Sequence, residues 1–211
     1  MSGGKAAPLA TVGALHGKAV FGRRVRVLAE RLAPLLPAGR VLDVGCGDGN
    51  VAKALLALRP DLTIEGYDVL ERPRAEIPVT RFDGRRLPVP DGAGAAVLLV
   101  DVLHHADDAA ALLAECARAA PVVVVKDHLM RSWLDGRILA FMDWVGNAPH
   151  GVVLPSRYFS PASWSDAVSR AGLTETARND VPGLYPFPFS LVFGRGLQFT
   201  ARLERKESAG R

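Results

Sequence analysis

The most constraining feature of this chain is a short apolar run that ends in glycines at alternate positions. Residues 41 to 49 read Val-Leu-Asp-Val-Gly-Cys-Gly-Asp-Gly, and a helix-compatible stretch follows at once. Glycine permits unusual backbone dihedral angles and close approach of the backbone to a ligand, while a helix N-terminus presents free N–H groups. Strand, glycine turn and helix in this order predict a site for an anionic or zwitterionic nucleotide-like ligand.

Strand and helix signals alternate along the rest of the chain. The predicted strands are 40–44, 62–67, 79–82, 95–100, 121–125, 173–177 and 190–201, the last interrupted by a bulge near Gly194 and Gly196. The predicted helices are 18–36, 50–58, 109–119, 133–145 and a helix that starts at Ser160-Pro161 and stops before Gly172. Because strands alternate with helices and two of the strands are continuously apolar, we expect an α/β fold with a doubly wound, mostly parallel sheet.

A length of 211 residues fits one α/β domain. We expect residues 1–36 to form an N-terminal tail and a helix packed on the core, and residues 37–211 to form the main domain. An aromatic-rich insertion, about residues 127–159, follows the fifth strand. Ligands of open α/β sheets bind outside the carboxyl ends of the strands, so this insertion is placed to cover the site as a helical lid. Ordinary core packing around a helix is a compatible interpretation.

The net charge of +4 and the sequence pI near 9.4 raise the question of an anionic partner. The basic residues before the glycine turn interleave with apolar residues at helical spacing (Val25, Leu28 and Leu32), and no aromatic stacking pattern is interleaved with them. This pattern favours a solvated helix face over a nucleic-acid surface. Two cysteines, the absence of a signal-peptide pattern and the absence of a membrane-length apolar run indicate a cytoplasmic setting.

The acidic residue inside the glycine motif indicates which cofactor is bound. Asp43 precedes the first glycine by two positions, and Asn50 stands where a nicotinamide-binding turn has its third glycine. This arrangement resembles the first motif of class I S-adenosylmethionine-dependent methyltransferases, and the similarity extends from about residue 37 to the final strands. The resemblance implies a Rossmann-like fold of the class I methyltransferase type and S-adenosyl-L-methionine as cofactor. An enzyme that uses NAD is the distant alternative.

Three further landmarks support the resemblance and imply a cofactor site. Asp68 ends strand two, where the family binds the ribose hydroxyls, and Asp83-Gly84 follows strand three, where the family contacts adenine. Residues 101–105, Asp-Val-Leu-His-His, resemble a common form of the fourth motif. The predicted cofactor-binding residues are Asp43, Gly45, Cys46, Gly47, Asp68, Val69, Asp83, Gly84, Asp101 and His104. Asp-Gly is also a common turn by itself, which is the alternative for Asp83-Gly84.

The amino-acid end of this cofactor carries a carboxylate and an ammonium. We expect the backbone N–H groups from Gly45 to Gly49 to face that end, because glycines allow it to approach closely. For Asp43 two roles are open: it binds the ammonium through water, or it orders the turn by accepting backbone N–H groups.

Methyl transfer from a sulfonium is an in-line displacement, in which the protein mainly positions the acceptor and excludes water. A general base helps when the acceptor must lose a proton. Of the five histidines, His128 after strand five and His150 in the insertion are the predicted acceptor-side catalytic residues. The resemblance implies that the pair His104-His105 supports the local structure after strand four and is not catalytic.

A divalent metal is an alternative that we do not favour. Asp101 and Asp127 end the fourth and fifth strands, and two carboxylates with a histidine are a reasonable ligand set for such an ion. The other interpretation is that Asp101 lines the cofactor pocket while Asp127 pairs with Lys126, Arg131 or a helix end. No metal ligands are therefore predicted.

Aromatic residues in the insertion indicate the acceptor. Trp133, Phe141, Trp144 and Phe159 suggest a small or lipid-like molecule that is methylated directly. One alternative is a methyltransferase of RNA or protein, with nucleic acid disfavoured. Another is a cofactor-binding partner protein without catalytic activity. The oligomeric state is left open.

Overall fold

The computed structural model describes residues 21–70, 74–147, 158–184, 187, 190 and 196–206. Its strands are β1 (Gly39–Val44), β2 (Leu62–Asp68), β3 (Val79–Arg81), β4 (Ala96–Val100), β5 (Val122–His128), β6 (Leu173–Asp180) and β7 (Gln198–Arg205). Its helices are α1 (21–32 in the described part), α2 (Asn50–Leu58), α3 (Ala109–Ala119), α4 (Trp133–Asn147) and α5 (Pro161–Arg170).

One sheet organises these elements. The strand order is β3-β2-β1-β4-β5-β7-β6, and every pairing is parallel except those of β7 with β5 and β6. The chain runs from β3 back across β1 to β4, so the direction of winding reverses between β1 and β4. Ligands of such sheets bind at this reversal, outside the carboxyl ends of the strands. The predicted doubly wound, mostly parallel sheet is confirmed.

The helices begin where the sequence places capping residues. At α3, the carboxylate of Asp108 accepts hydrogen bonds from the backbone N–H groups of Ala110 and Ala111 at 3.0 and 3.1 Å. At α5, Ser160 and Ser163 form a reciprocal capping box, and proline occupies the first turn. These local signals explain why the starts of both helices agree with prediction.

Each face of the sheet buries its own apolar layer. On one face, Leu28 of α1 and Leu55 of α2 pack with alternate strand residues such as Leu98. On the other face, Leu113 of α3 and Trp164 of α5 pack with the intervening strand residues. Because β4 and β5 are covered on both sides, their continuous apolar sequence is required.

The last two strands differ from the prediction. The structure starts β7 at Gln198, not at residue 190, and Gly196 lies before the strand. Gly196 has a φ of +69°, which is outside the extended region and therefore turns the chain away from strand geometry. The irregularity in pairing lies in β6, between Glu175 and Ala177, and β6 continues to Asp180. Residues 191–195 lie outside the described part.

The insertion leaves the sheet after β5 and returns to it. Leu129 and Phe159 form a parallel bridge, and the backbone N–H of Met130 donates to the carbonyl of Phe159 at 2.8 Å. Leu139 of α4 packs with Tyr158 and Leu197 in a small separate core. The return brings Tyr158 to the carboxyl end of β5. Within the described residues, no helix combines the length and apolar character needed to cross a membrane.

Candidate functional site

The glycine turn after β1 has a backbone that requires glycine. Gly45, Gly47 and Gly49 have φ angles of +72°, +57° and +75°, which side-chain-bearing residues rarely adopt. A Cβ added at Gly45 would collide with the side chain of Val102, and one at Gly49 would lie 2.7 Å from Cγ1 of Ile77. The turn is therefore packed closely against the segment that follows β4 and against the segment that precedes β3.

The backbone donors of this turn are largely used inside the protein. The N–H of Gly45 donates to the carbonyl of Tyr67 at 2.7 Å, that of Gly47 to Oδ2 of Asp68 at 2.8 Å, and that of Gly49 to the carbonyl of Cys46 at 3.0 Å. The expectation that the N–H groups from Gly45 to Gly49 face the ligand is therefore wrong for these three. The reason is tertiary, because two of the acceptors belong to β2, which pairs with β1 in parallel.

Asp68 ends β2 beside the turn. Its Oδ2 accepts from Gly47, and its Oδ1 accepts from the backbone N–H of Leu70 at 2.9 Å. These bonds fix its orientation, and a carboxylate, with about four lone-pair sites, is the kind of group that accepts from a diol. Val69 and Leu70 directly after it are each 47% exposed, although they are apolar. An acceptor of two hydroxyl hydrogens thus adjoins an open apolar surface.

Asp83 and Gly84 form a turn next to this surface. Oδ1 of Asp83 accepts from the backbone N–H groups of Arg85 and Arg86, both at 2.8 Å, and these bonds lower the pKa of Asp83. A Cβ added at Gly84 would lie 3.1 Å from Cγ1 of Val69, and Gly84 has a φ of +79°. The turn expected from Asp-Gly itself is present, and it brings Gly84 against Val69. Contact of Asp83 with the cofactor stays a prediction.

Asp43 is a buried carboxylate near the end of β1. No hydrogen bond to its side chain occurs within the described part of the chain, so the predicted alternative in which it orders the turn by accepting N–H groups is wrong. Burial raises its pKa, and the negative charge of Asp68 raises it further, to about 7. A bound cation would favour its charged form. Cys46, between the glycines, is partly buried against Gly66, where an added Cβ would lie 2.6 Å from its sulfur atom.

Asp101 follows β4 and is held between two cations. Its carboxylate forms ion pairs with Arg24 of α1 and with Lys126 of β5. Burial by itself would raise the pKa of Asp101, but the charges of Lys126 and Arg24 outweigh burial and lower it. Asp101 has a φ of +57°, a strained value for a residue other than glycine, and such strain is typical of functional sites.

Sequence reasoning missed Arg24 and assigned Lys126 to the wrong partner. Of the partners expected for Asp127, Lys126 and Arg131 do not pair with it, but a helix end does: its Oδ2 accepts from the backbone N–H of Leu103, the first residue of a short 3-10 helix (Leu103–His105). Its Oδ1 pairs with His104, while Lys126 pairs with Asp101. The side chain of Lys126 is fully buried, and a lysine at the end of a run of four valines was the available signal. Arg24 gives no such signal, because it lies 77 residues from Asp101 in the chain.

A cluster of imidazoles lies at the ends of β4 and β5. Nδ1 of His104 lies 2.6 Å from Oδ1 of Asp127, whose Oδ2 accepts from the backbone N–H of Leu103 at 3.1 Å. The ring centroids of His104 and His128 are 4.8 Å apart, and the two rings are nearly perpendicular. The ring centroid of Tyr158 in the insertion lies 5.9 Å from that of His104 and 6.1 Å from that of His128. The predicted acceptor-side residue His128 is thus part of a buried group, whereas His150 lies outside the described residues.

Protonation in this cluster follows from its charges. Burial by itself would raise the pKa of Asp127, but the charge and hydrogen bonds of the two histidines outweigh burial and lower it. Because an ionised carboxylate only accepts, Nδ1 of His104 carries the proton in this pair. Burial lowers the pKa of His128, and the charge of Lys126 lowers it further. A histidine with a lowered pKa is neutral at pH 7 and is able to accept a proton.

His104, Asp127 and His128 are also close enough to hold a metal ion, since their ligand atoms lie within 4.8 Å of one another. Two observations favour a hydrogen-bonded pair instead. His104 and Asp127 already contact each other at 2.6 Å, and the buried ammonium of Lys126 opposes a second positive charge nearby. Asp101, the other carboxylate of the disfavoured metal alternative, is neutralised by Arg24 and Lys126.

Comparison with known proteins identifies a family and several relatives with similar sequences. A family model described as a methyltransferase domain matches residues 18–177. The "Probable S-adenosylmethionine-dependent methyltransferase" of Mycobacterium tuberculosis is 35% identical over 103 residues, covering 46% of this chain and 37% of the relative. The ubiquinone biosynthesis O-methyltransferase of Hahella chejuensis is 33% identical over 112 residues, covering 46% of this chain and 44% of the relative. The chain thus spans less than half the length of these curated relatives.

A solved structure agrees on the fold over nearly the whole chain. The methyltransferase solved in complex with the Haloferax volcanii Trm112 methyltransferase activator superposes with a TM-score of 0.67, covering 95% of this chain and 97% of that chain. The two sequences are 16% identical, so this likeness concerns the fold alone.

Proposed function

This chain belongs to the family of S-adenosylmethionine-dependent methyltransferase domains, and on that premise we propose that it transfers the cofactor's methyl group to a small or lipid-like acceptor. The observation that carries the proposal is the arrangement at one edge of the sheet. Three carboxylates, those of Asp43, Asp68 and Asp101, lie close to the glycine turn, and a buried histidine cluster lies nearby in contact with Tyr158 of the insertion.

The residues present fit the cofactor. The carboxylate of Asp68 at the end of β2 is a suitable acceptor for the ribose diol, and the exposed Val69 beside Gly84 offers an apolar surface to adenine. The buried Asp43, which has no hydrogen-bond partner within the described residues, is suited to the ammonium. Gly45, Cys46 and Gly47 shape the backbone, Asp83 closes the adenine-side turn, and Asp101 and His104 adjoin the reacting end.

The cofactor supplies a methyl group on a sulfonium, which is already a good leaving group. The protein positions the acceptor and excludes water, and the closely packed ends of β4 and β5 suit both tasks. A proton released by an O–H or N–H acceptor goes to an imidazole of the cluster. His128 is available because burial lowers its pKa, and Asp127 orients His104 for the same role. His150, predicted as a second base, keeps that role as a proposal.

The insertion supports an apolar acceptor. Trp133, Leu134 and Phe141 of α4 are 75%, 42% and 54% exposed, which is unusual for such large apolar side chains. They lie on the helix of an insertion that leaves the sheet at Leu129 and returns to it at Phe159. Burial of this surface by an apolar molecule would be favourable.

Two measurements test the function. Calorimetry should show binding of S-adenosylhomocysteine, and Asp68→Asn should weaken it by about tenfold, as expected for loss of a charged hydrogen-bond acceptor. Transfer of labelled methyl should then be measured with phenols, carboxylic acids and isoprenoid quinols, with and without an activator protein of the kind bound to the Haloferax relative. Failure to bind S-adenosylhomocysteine would refute the function. Labelling of RNA or protein alone would refute the acceptor class.

A further inference from the structure

We infer that this protein docks on the surface of an anionic phospholipid bilayer, with helix α4 lying in the plane of the lipid headgroups. The inference rests on the proposed function and deepens it, because a lipid-like acceptor would be reached from such a surface. Three properties of the exposed apolar side chains support it: where they lie, how they are arranged on α4, and which charges adjoin them.

The exposed apolar side chains concentrate at the carboxyl edge of the sheet, where the parallel strands end. Within the described residues, the large apolar side chains that are 42–79% exposed are Phe21, Leu58, Val69, Leu70, Trp133, Leu134, Phe141 and Phe187. Leu58 ends α2 at the opposite edge, and the two after β2 adjoin the proposed adenine surface. Phe21 comes about one turn before Arg24, which pairs with Asp101 at the carboxyl edge. Exposed apolar patches of this kind mark interaction sites for proteins or membranes.

The chain between β6 and β7, which carries Phe187, meets α4 at this edge. Because β7 runs antiparallel to both β5 and β6, β6 ends at the same edge as β5. The guanidinium of Arg131, just before α4, donates to the carbonyl of Gly196 at 3.0 Å, and Leu139 of α4 packs with Leu197. The insertion and the end of this connection are therefore in contact, on the half of the edge away from β2 and β3.

Helix α4 is apolar on two opposite faces. Its inner face packs Leu139 into the small core of the insertion. At 3.6 residues per turn, the exposed residues Trp133, Leu134, Arg137 and Phe141 lie within about 100° of one another on the other side of the helix. A helix at the surface of a globular protein normally presents polar residues on its outer face. The outer face of α4 therefore lacks the composition of a face that only contacts water.

The length of α4 decides how it could meet a bilayer. Its 15 residues give a helix about 22 Å long, whereas the hydrocarbon core of a bilayer is roughly 30 Å thick. A helix of this kind lies in the interface with its apolar face among the acyl chains. The inner face stays packed on the protein, so the outer face is the one that would enter the lipid.

The charges beside this face match an anionic surface. Arg131 and Arg137 are both exposed, and no ion pair to Arg137 occurs within the described part of the chain. The acid between them, Asp135, accepts the backbone N–H groups of Arg131 and Ser132, both at 2.9 Å, and so caps the start of the helix. The whole chain has a net charge of +4, which favours its approach to negative lipid.

Tryptophan and arginine both suit the boundary between lipid and water. An indole ring is largely apolar but keeps one N–H for a polar partner, and an arginine stem lies along apolar surface while its guanidinium reaches phosphate. Trp133 is 75% exposed, and Arg137 follows it by about one turn on the same face. A second copy of the chain fits this face less well, because a two-fold contact would bring the arginines of both copies into one interface.

The test is sedimentation of the full chain with sucrose-loaded vesicles made of equal parts phosphatidylglycerol and phosphatidylcholine. We expect binding that weakens as salt is raised. Trp133→Ser should weaken it by about tenfold, through loss of apolar burial, and Arg137→Gln by about fivefold. Leu58→Ser and Arg31→Gln are the matched controls, because these exposed residues lie near the ends of α2 and α1, at the opposite edge. They should leave vesicle binding unchanged.

Several results would overturn the inference. They are absence of vesicle binding, equal binding to vesicles of phosphatidylcholine alone, and an equal loss in Leu58→Ser and Trp133→Ser. Self-association of the protein without vesicles, abolished by Trp133→Ser and accompanied by no vesicle binding, would assign the face to a second copy and would also overturn it.

Calorimetry with S-adenosylhomocysteine separates this inference from the proposed function. Trp133→Ser and Arg137→Gln should bind this ligand as tightly as the unmodified protein does, which also shows that both variants are folded. Intact binding of S-adenosylhomocysteine without vesicle binding would overturn only the inference. No binding of S-adenosylhomocysteine to the unmodified protein would refute the proposed function instead.

Discussion

Asp43 should destabilise the protein when no cofactor is bound, and Asp43→Asn should reverse this effect. The carboxylate is 3% exposed, has no hydrogen-bond partner in the described part of the chain and is close to the charge of Asp68. These conditions raise its pKa from 3.8 to about 7. Asparagine has nearly the same shape but cannot ionise, so the substitution removes the charge and little else.

The size and direction of the effect follow from proton linkage. A pKa raised from 3.8 to about 7, converted at about 1.4 kcal/mol per pH unit, corresponds to roughly 4 kcal/mol. The folded state binds the proton more tightly than the unfolded chain does. The associated stability is therefore complete below about pH 4 and is lost as the pH rises through about 7. Above pH 7 the unmodified protein should be less stable than Asp43→Asn by up to this amount.

Unfolding by guanidinium at pH 5 and pH 8.5, without ligand, measures this difference. Asp43→Asn should have the greater free energy of unfolding at pH 8.5, and the advantage should shrink at pH 5. Its affinity for S-adenosylhomocysteine should fall by about 10-fold, because the ammonium loses a charged partner. Asp107→Asn, at an exposed position, is the control and should change neither quantity. A variant that is less stable than the unmodified protein at pH 8.5 would refute the reasoning.

Three further substitutions test the packing and charge of the site. Gly45→Ala should destabilise the protein more than Gly92→Ala, by about 1–3 kcal/mol in chemical denaturation, because both positions have positive φ but only Gly45 lacks room for a Cβ. Lys126→Met should cost about 1–3 kcal/mol in the same measurement, since it removes one of the two cations that pair with the Asp101 carboxylate while Arg24 still pairs with it. Asp68→Asn should weaken S-adenosylhomocysteine and methylthioadenosine by the same factor in calorimetry, because both carry the ribose. Equal losses at the two glycines, a Lys126→Met variant of unchanged stability, or a selective effect of Asp68→Asn would each contradict the corresponding argument.

The sequence by itself determined those parts of the fold that depend on local signals. The predicted bounds of α2 and α3 agree with the structure, because Gly49 and Asp108 start these helices through local backbone and capping chemistry. The glycine turn was also predicted correctly, because alternate glycines after an apolar run indicate a tight turn with positive φ angles. Where the local signal was ambiguous, as at Gly196, the start of β7 was predicted wrongly.

Only the tertiary structure decided how the charged groups of the site are paired. His104 and Asp127 are 23 residues apart, and Arg24 and Asp101 are 77 apart, so neither pair follows from spacing. The pairs exist because β1, β4 and β5 lie side by side and α1 packs over them. The same pairing of strands uses the backbone donors that the sequence had assigned to the ligand. Local sequence fixes where a helix or turn begins, whereas partners distant in the chain are set by which elements become neighbours when the core is buried.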